Sequence, residues 1–182
     1  MNVENGIEYL KILHNIFGEL GITFWLVFGT CLGLHRDGAL IYYDEDIDIG
    51  IWPQNDYTSL FKCLEKNFVT PEYICTNNIM CMIKVGDYYR TDNSIDPYLD
   101  IIPFYEKDGN NWFIRDVWGD NVMGMKFPKV FFDSFDQICF EGLMFNIPAN
   151  TDAYLDYFYG DWRTARIKKQ DSINKFEVYC EV

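Results

Sequence analysis

Between residues 29 and 48 the sequence brings together a Gly-Thr pair, an arginine and four acids: Gly29, Thr30, Arg36, Asp44, Glu45, Asp46 and Asp48. Four carboxylates within five positions repel one another unless something offsets them. Residues 47–51 read Ile-Asp-Ile-Gly-Ile, the apolar–polar alternation of a strand. Side chains two apart on a strand share a face, so Asp46 and Asp48 project together. Two such carboxylates can share a hard divalent cation. Mg²⁺ favours sites of one or two carboxylates completed by waters and phosphate oxygens. A further acid lies inside an apolar run, Leu99-Asp100-Ile101-Ile102, where a carboxylate needs a partner. The competing account of an Asp-x-Asp pair is a solvated acidic turn. The flanking Ile47, Ile49 and Ile51, the Gly-Thr turn upstream and Asp100 together weigh against it.

Other residues could serve the same chemistry. Gly29 and Thr30 follow a strand-like run, and backbone N–H groups at such a turn can cradle a phosphate. A plain strand-ending turn is the alternative for Gly29. Arg36 is the natural phosphate clamp, because its planar fork pairs bidentately with oxyanions; a surface ion pair near Asp44 and Glu45 competes with that. Lys84 and Arg90 are secondary cation candidates for the same phosphates, each weighed against ordinary surface charge. Asp44 and Glu45 read either as outer support for the metal ligands or as a solvated turn. His35 beside a turn reads as surface, and Cys31 has no base beside it in sequence, which disfavours it as a nucleophile. Asp161 and Trp162 read as a structural corner in preference to a ligand contact.

The elements that must position these groups are legible in outline. Ile7, Leu10, Leu13, Phe17 and Leu20 recur at helical spacing, and Gly21 follows them as a terminator. Thr23–Phe28 reads as a buried strand, with Thr30 capping a short helix that ends at Asp37-Gly38. A second helix opens near Pro53–Asn55 and carries Leu60, Phe61 and Leu64. Strands are expected near Phe68–Ile74, Ile79–Val85, Tyr98–Tyr105 and, after a turn at Asn110-Asn111, at Trp112–Ile114. Asp116–Lys129, rich in Gly and Met, suggests no element. Ile138–Phe140 and Leu143–Ile147 flank Glu141-Gly142 as a hairpin. Asn150 or Thr151 caps a last helix through Tyr154, Leu155 and Phe158, stopped by Gly160. Interspersed helices and strands predict a mixed α/β (α+β) class.

Composition narrows the functions. The 182 residues carry 15 Lys+Arg against 28 Asp+Glu, a net charge of −13, which argues against a nucleic acid as partner. Hydrophobic residues make up 49% and aromatics 18%, enough for a folded core, and the length suits a single domain over 1–182. No apolar run approaches the roughly 20 residues of a spanning helix. The first residues lack the basic and long apolar regions of a signal peptide. Six cysteines without a Cys-x-x-Cys motif read as reduced thiols, so cytoplasmic residence is expected.

A strand, Gly-Ser/Thr, a short helix, Asp-x-Asp and a later third carboxylate resemble the nucleotidyltransferase fold superfamily. Within it the chain is most similar to the LicD/fukutin family, whose members carry a stretch like G-T-L-L-G-x-x-R-x-x-G-x-I-x-x-D-D-D-I-D. Gly29, Thr30, Leu32, Gly33, Arg36, Gly38, Asp44, Asp46, Ile47 and Asp48 fit it in order. The loop between Gly33 and Gly38 is about one residue shorter, and Glu45 stands where Asp is usual. Asp100-Ile101-Ile102-Pro103 and Tyr159-Gly160-Asp161-Trp162 resemble two later family elements.

The resemblance implies a mixed β-sheet with flanking helices. It also implies transfer of a phosphorylated alcohol, phosphocholine- or polyol-phosphate-like, from a CDP-linked donor to a sugar or polyol hydroxyl. Asp46, Asp48 and Asp100 would be the metal ligands and catalytic carboxylates, with Mg²⁺ as the ion and Mn²⁺ as its substitute. Asp100 is either a ligand or the base for the acceptor. The chain is shorter than family members, which suggests a trimmed acceptor-binding part. Two rivals remain: a nucleotidyltransferase moving NMP from an NTP donor to a small acceptor, and a degenerate ligand-binding module. A simple Ca²⁺ or Mg²⁺ site is disfavoured because no EF-hand pattern occurs.

Overall fold

Asn2 starts the first helix, its side-chain oxygen accepting from the N–H groups of Glu4 (3.0 Å) and Asn5 (3.4 Å). In this computed structural model α1 spans Val3–Leu20 and ends at Gly21, whose φ of 64° is the left-handed stop the sequence predicts. Its buried stripe is Gly6, Leu10, Leu13, Ile16 and Phe17. Ile7 and Leu20 flank that stripe and are only partly buried. The structure describes residues 1–68, 71–76, 79–86, 96–106, 109, 111–118 and 121–164, with backbone alone for 76, 111–118 and 121–123.

The first strand is shorter than the sequence suggests. β1 covers Phe24–Leu26, and α2 already begins at Phe28, running Phe28–Asp37. Thr30 therefore lies inside the helix, and extended Val27 is its N-cap. The reversal is made at Phe28, which holds φ 47°, a conformation uncommon for a bulky residue. Gly38, at φ 65°, ends α2. β2 is Asp46–Ile51, and α3 is Thr58–Asn67. That helix starts later than Pro53–Asn55 because Asp56 accepts from both the N–H (2.9 Å) and the hydroxyl (2.6 Å) of Thr58.

β3 (Glu72–Thr76), β4 (Ile79–Val85) and β5 (Tyr98–Pro103) complete a five-stranded sheet in the order β1-β2-β5-β4-β3. β2 and β5 run parallel, and the other pairs are antiparallel. β6 (Tyr105–Glu106), β7 (Asn111–Trp118) and β8 (Asn121–Pro128) form a second, antiparallel sheet. The unassigned Asp116–Lys129 stretch is thus mostly strand: Gly124 pairs with Arg115 in a ladder that sequence propensity alone does not favour. Asn111 opens β7, and Asn110 lies outside the described residues. β9 (Phe135–Phe140) and β10 (Leu143–Pro148) pair across Glu141-Gly142 as predicted. α4, Thr151–Tyr159, stops at Gly160.

The core is aromatic. Trp25, fully buried, lies 4.9 Å from the Phe135 ring, 4.5 Å from Trp52 and 5.3 Å from Phe104. Gly50 makes the room, since a Cβ there would enter the Trp25 indole. Changing Gly50 to Val should therefore be more disruptive than a typical core substitution, visible as a loss of cooperative melting. No helix among the described residues is long and apolar enough to cross a membrane.

Candidate active site

Parallel register sets the centre of the site. Asp48 on β2 stands directly opposite Asp100 on β5, and directly opposed residues share a face. Asp46, two positions earlier on β2, joins them. One carboxylate oxygen from each of Asp46, Asp48 and Asp100 lies within 4.8 Å of the others. Asp48 and Asp100 are buried, at 9% and 8% exposure, while Asp46 is half-buried and opens the cluster to solvent. Ile47 and Ile49, fully buried on either side of Asp48, hold the strand in place.

Three buried or half-buried anions this close need positive charge. Lys84 provides some: it is opposite Asp100 in the β4–β5 ladder, and its Nζ is 4.0 Å from Asp100 Oδ2. The chemistry of the set, hard oxygens converging from two strands with one open side, suits a divalent cation such as Mg²⁺. Arg90, the other cation suggested by the sequence, lies outside the described residues.

The turn between β1 and α2 grips Asp48 by its backbone. Thr30 Oγ1 accepts from the Asp48 N–H at 2.9 Å, and the Val27 N–H donates to the Asp48 carbonyl at 3.2 Å. Thr30 is buried, and a hydroxyl can donate as well as accept. Gly29 has a different reason to lack a side chain. A Cβ there would run into the Asp44 carboxylate, so an anion of the protein fills the place where the sequence reading puts a phosphate oxygen. We expect Gly29→Ala to displace Asp44 and weaken divalent-cation binding at the three-carboxylate cluster at least tenfold if the cluster holds an ion, with thermal stability falling only about 1–3 kcal/mol. Mn²⁺ titration and melting measured on the same preparation check this.

Asp44 and Glu45 stand outside the three-carboxylate cluster. The Asp44 carboxylate accepts from the Glu45 N–H at 3.2 Å, and the exposed Glu45 receives the Tyr98 N–H on its carbonyl at 2.9 Å. That bond ties the acidic loop to the start of β5.

Arg36 is at the far end of α2 from Thr30. Its guanidinium makes three contacts with Asp37, the shortest 2.7 Å, and reaches the Trp162 carbonyl at 3.4 Å. The Asp37 hydrogen bond raises the arginine's proton affinity and holds the Asp37 carboxyl below its usual range. The fork that the sequence assigns to a phosphate is thus engaged at the corner between α2 and the segment after α4.

His35 and Trp162 belong to that corner too. His35 Nε2 is 2.7 Å from Asp152 Oδ1, and Arg163 lies 2.9 Å from Asp152 and 4.2 Å above the Trp162 ring. His35 is thus bound to a carboxylate at the start of α4. The His35 hydrogen bond, with Arg163 adding, holds the Asp152 carboxyl below its ordinary 3.8. A carboxyl lowered in the folded state stabilises above its unfolded value and loses that contribution as pH falls through the lowered one. Melting measured between pH 5 and pH 2 should therefore fall less steeply in Asp152→Asn than in the parent.

Two tyrosines of α4 were not singled out for this site by sequence reasoning. Tyr154 is fully buried, and its oxygen accepts the Phe28 N–H at 3.1 Å. Burial pushes its phenol well up, with the neighbouring Cys31 and Asp48 adding. Tyr159 is raised by burial first, then by Tyr154, Asp48 and Asp44. At helical spacing Tyr154 reads as an apolar core position, and only the fold reveals its polar end. Burial also pushes the Cys31 thiol up, which removes it as a nucleophile at neutral pH.

A family model described as LicD/FKTN/FKRP, nucleotidyltransferase domain, matches residues 21–150. Among curated proteins, the ribitol 5-phosphate transferase FKRP of Mus musculus is 27% identical over 157 residues, covering 84% of this chain and 31% of that protein. The ribitol-5-phosphate transferase FKTN of Homo sapiens is 27% identical over 167 residues, covering 90% of this chain and 34% of that protein. The chain thus spans about a third of the length of the curated relatives it matches. Among solved structures, the lincomycin-bound lincosamide antibiotic adenylyltransferase LnuA superposes with a TM-score of 0.53 at 17% identity, covering 81% of this chain and 83% of that one. That likeness concerns the fold, which is nucleotidyltransferase-like.

Proposed function

Because this chain belongs to the LicD/FKTN/FKRP family of nucleotidyltransferase domains, we propose that it is a Mg²⁺-dependent phosphotransferase. It moves a phosphorylated alcohol, polyol-phosphate- or phosphocholine-like, from a CDP-linked donor to a sugar or polyol hydroxyl. The observation that carries this reading is the convergence of Asp46, Asp48 and Asp100 within 4.8 Å on one sheet face. The two relatives named as ribitol 5-phosphate transferases support the substrate class.

Asp46, Asp48 and Asp100 would hold the ion, which when bound neutralises phosphate charge and aligns attacking and leaving oxygens. Lys84, on the same face, would offer its ammonium to a donor phosphate. Thr30 donates its hydroxyl proton to a phosphate oxygen while keeping the Asp48 N–H as a bond to itself. Asp100 is the most sheltered carboxylate and is suited to receive the acceptor hydroxyl's proton if it is not bound to the ion. Arg36 secures the corner at Trp162 and leaves phosphate contact to Lys84.

Among the described residues Cys31, Cys63, Cys75, Cys81 and Cys139 are free thiols, which supports a reducing, cytoplasmic setting.

A melting screen with Mg²⁺ and CDP-ribitol, CDP-glycerol, CDP-choline or an NTP tests the donor. A ligand at 100 times its Kd stabilises by about 2.7 kcal/mol, which is roughly 5–10 °C for a chain of this size. We expect that shift with at least one CDP-alcohol, followed by CMP release when an acceptor is added. Pyrophosphate released from an NTP would replace this reading with NMP transfer. A flat response to every donor would leave a binding module.

A further inference from the structure

We propose that Tyr154 is a positioning residue: its buried hydroxyl holds the left-handed turn at Phe28 and thereby seats Asp48. The inference rests on the metal-site reading above only for its effect on the ion; the effect on the turn stands apart from it.

The chain of contacts is short. Phe28 sits at φ 47°, where a bulky side chain crowds its own backbone. Such a conformation persists only where surrounding structure over-determines it. α4 supplies that structure twice. Tyr154 accepts the Phe28 N–H at 3.1 Å, and the Phe158 ring lies 4.7 Å from the Phe28 ring. Phe127, from β8, packs on both phenylalanines at 6.1 Å. The acceptor is a fully buried oxygen while Phe28 is half-buried, so losing that oxygen removes the fixed partner and leaves the donor at most a mobile water.

The turn then acts on Asp48 from both sides. Val27, just before Phe28, donates its N–H to the Asp48 carbonyl, and Thr30, just after it, accepts the Asp48 N–H. Both backbone groups of Asp48 are thus held by residues that bracket the strained position. If Phe28 relaxes toward negative φ, Val27 and Thr30 change their mutual orientation. Asp48 then loses the two backbone anchors on the β1 side of β2, and its carboxylate shifts relative to Asp100. A tyrosine serving only as core volume would be replaceable by phenylalanine without any of this.

The test is Tyr154→Phe in the full chain, with Tyr157→Phe as the control. Tyr157 is also on α4, and its hydroxyl donates to the Lys126 carbonyl at 3.1 Å, away from the turn. Amide hydrogen exchange is read by NMR without metal, and Mn²⁺ affinity by titration at a temperature where every variant is folded. We expect Tyr154→Phe to speed exchange at Phe28 and Asp48 about tenfold and to weaken Mn²⁺ roughly five- to tenfold, with the control unchanged. Parent-like exchange and Mn²⁺ affinity in Tyr154→Phe would overturn the proposal. If the parent itself binds no Mn²⁺, the metal-site reading fails, and the exchange rates alone decide the role of Tyr154. Should the variant not fold, the parent decides: a Phe28 amide exchanging as fast as surface loops would also overturn it.

Discussion

Asp48→Asn should abolish metal-dependent turnover, by at least about 10³-fold, and leave the protein folded. Metal charge stabilisation contributes several kcal/mol to a phosphoryl transition state, and each 1.36 kcal/mol is tenfold in rate. Asparagine keeps the shape of the side chain but replaces a charged oxygen with an amide nitrogen. The same change removes an anion that stands opposite Asp100 in the β2–β5 register. Repulsion in the metal-free protein falls accordingly. The melting temperature without Mg²⁺ should be equal to the parent's or higher, and the Mg²⁺-induced rise should vanish. Normal turnover in this variant would sink the assignment of the site. Asp46→Asn should lose activity too, but with less relief of repulsion, because Asp46 is the half-exposed member.

Trp25→Ala should cost the most stability. Large-to-small aromatic changes in a packed core cost about 3–5 kcal/mol, against a total of about 5–15 kcal/mol for a typical domain. Trp25 is fully buried and touches the rings of Trp52, Phe104, Phe132 and Phe135, which come from three separate segments. Its Nε1 has no hydrogen-bond partner among the described residues. Trp25→Phe therefore deletes an unsatisfied donor along with the volume, and the two effects oppose each other. We expect it to lose less than half of what Trp25→Ala loses. Thermal melts of the two variants decide; a Trp25→Phe loss of more than half the Trp25→Ala loss would mean that the orphaned N–H carries little penalty.

Much of the fold was legible because local and global demands agree. The apolar run Ile79–Val85 matches β4, and the apolar runs around Glu141-Gly142 pair as the expected hairpin. The spacing of Asp46 and Asp48 put them on one face before any coordinates. Other features depend on partners distant in sequence. Thr23–Phe28 looks like one strand because its residues are aromatic or β-branched; the chain leaves β1 early because Tyr154, far along the sequence, stabilises a turn that phenylalanine would not choose. β8 was invisible since Gly124 and its methionines carry no strand pattern, and only pairing with β7 makes it one. Arg36 looked like a phosphate clamp from its type, yet the neighbouring Asp37 and the Trp162 carbonyl engage it first. Asp100 was recognised as an acid needing company; which acid it would meet was fixed by strand order.

That strand order has a kinetic consequence. β2 and β5 are parallel neighbours, and the chain between them must first pass through α3, β3 and β4. Loop-closure entropy is lost before such a distant pairing gains anything, so contacts of this kind form late along the folding route. Asp100 is then apart from Asp46 and Asp48 at the rate-limiting barrier and joins them only in the finished sheet. An ion that binds only the finished arrangement stabilises the native state and not the barrier. Mg²⁺ should accordingly leave the refolding rate nearly unchanged and slow unfolding, so that the ion determines how long the folded chain lasts rather than how quickly it is made.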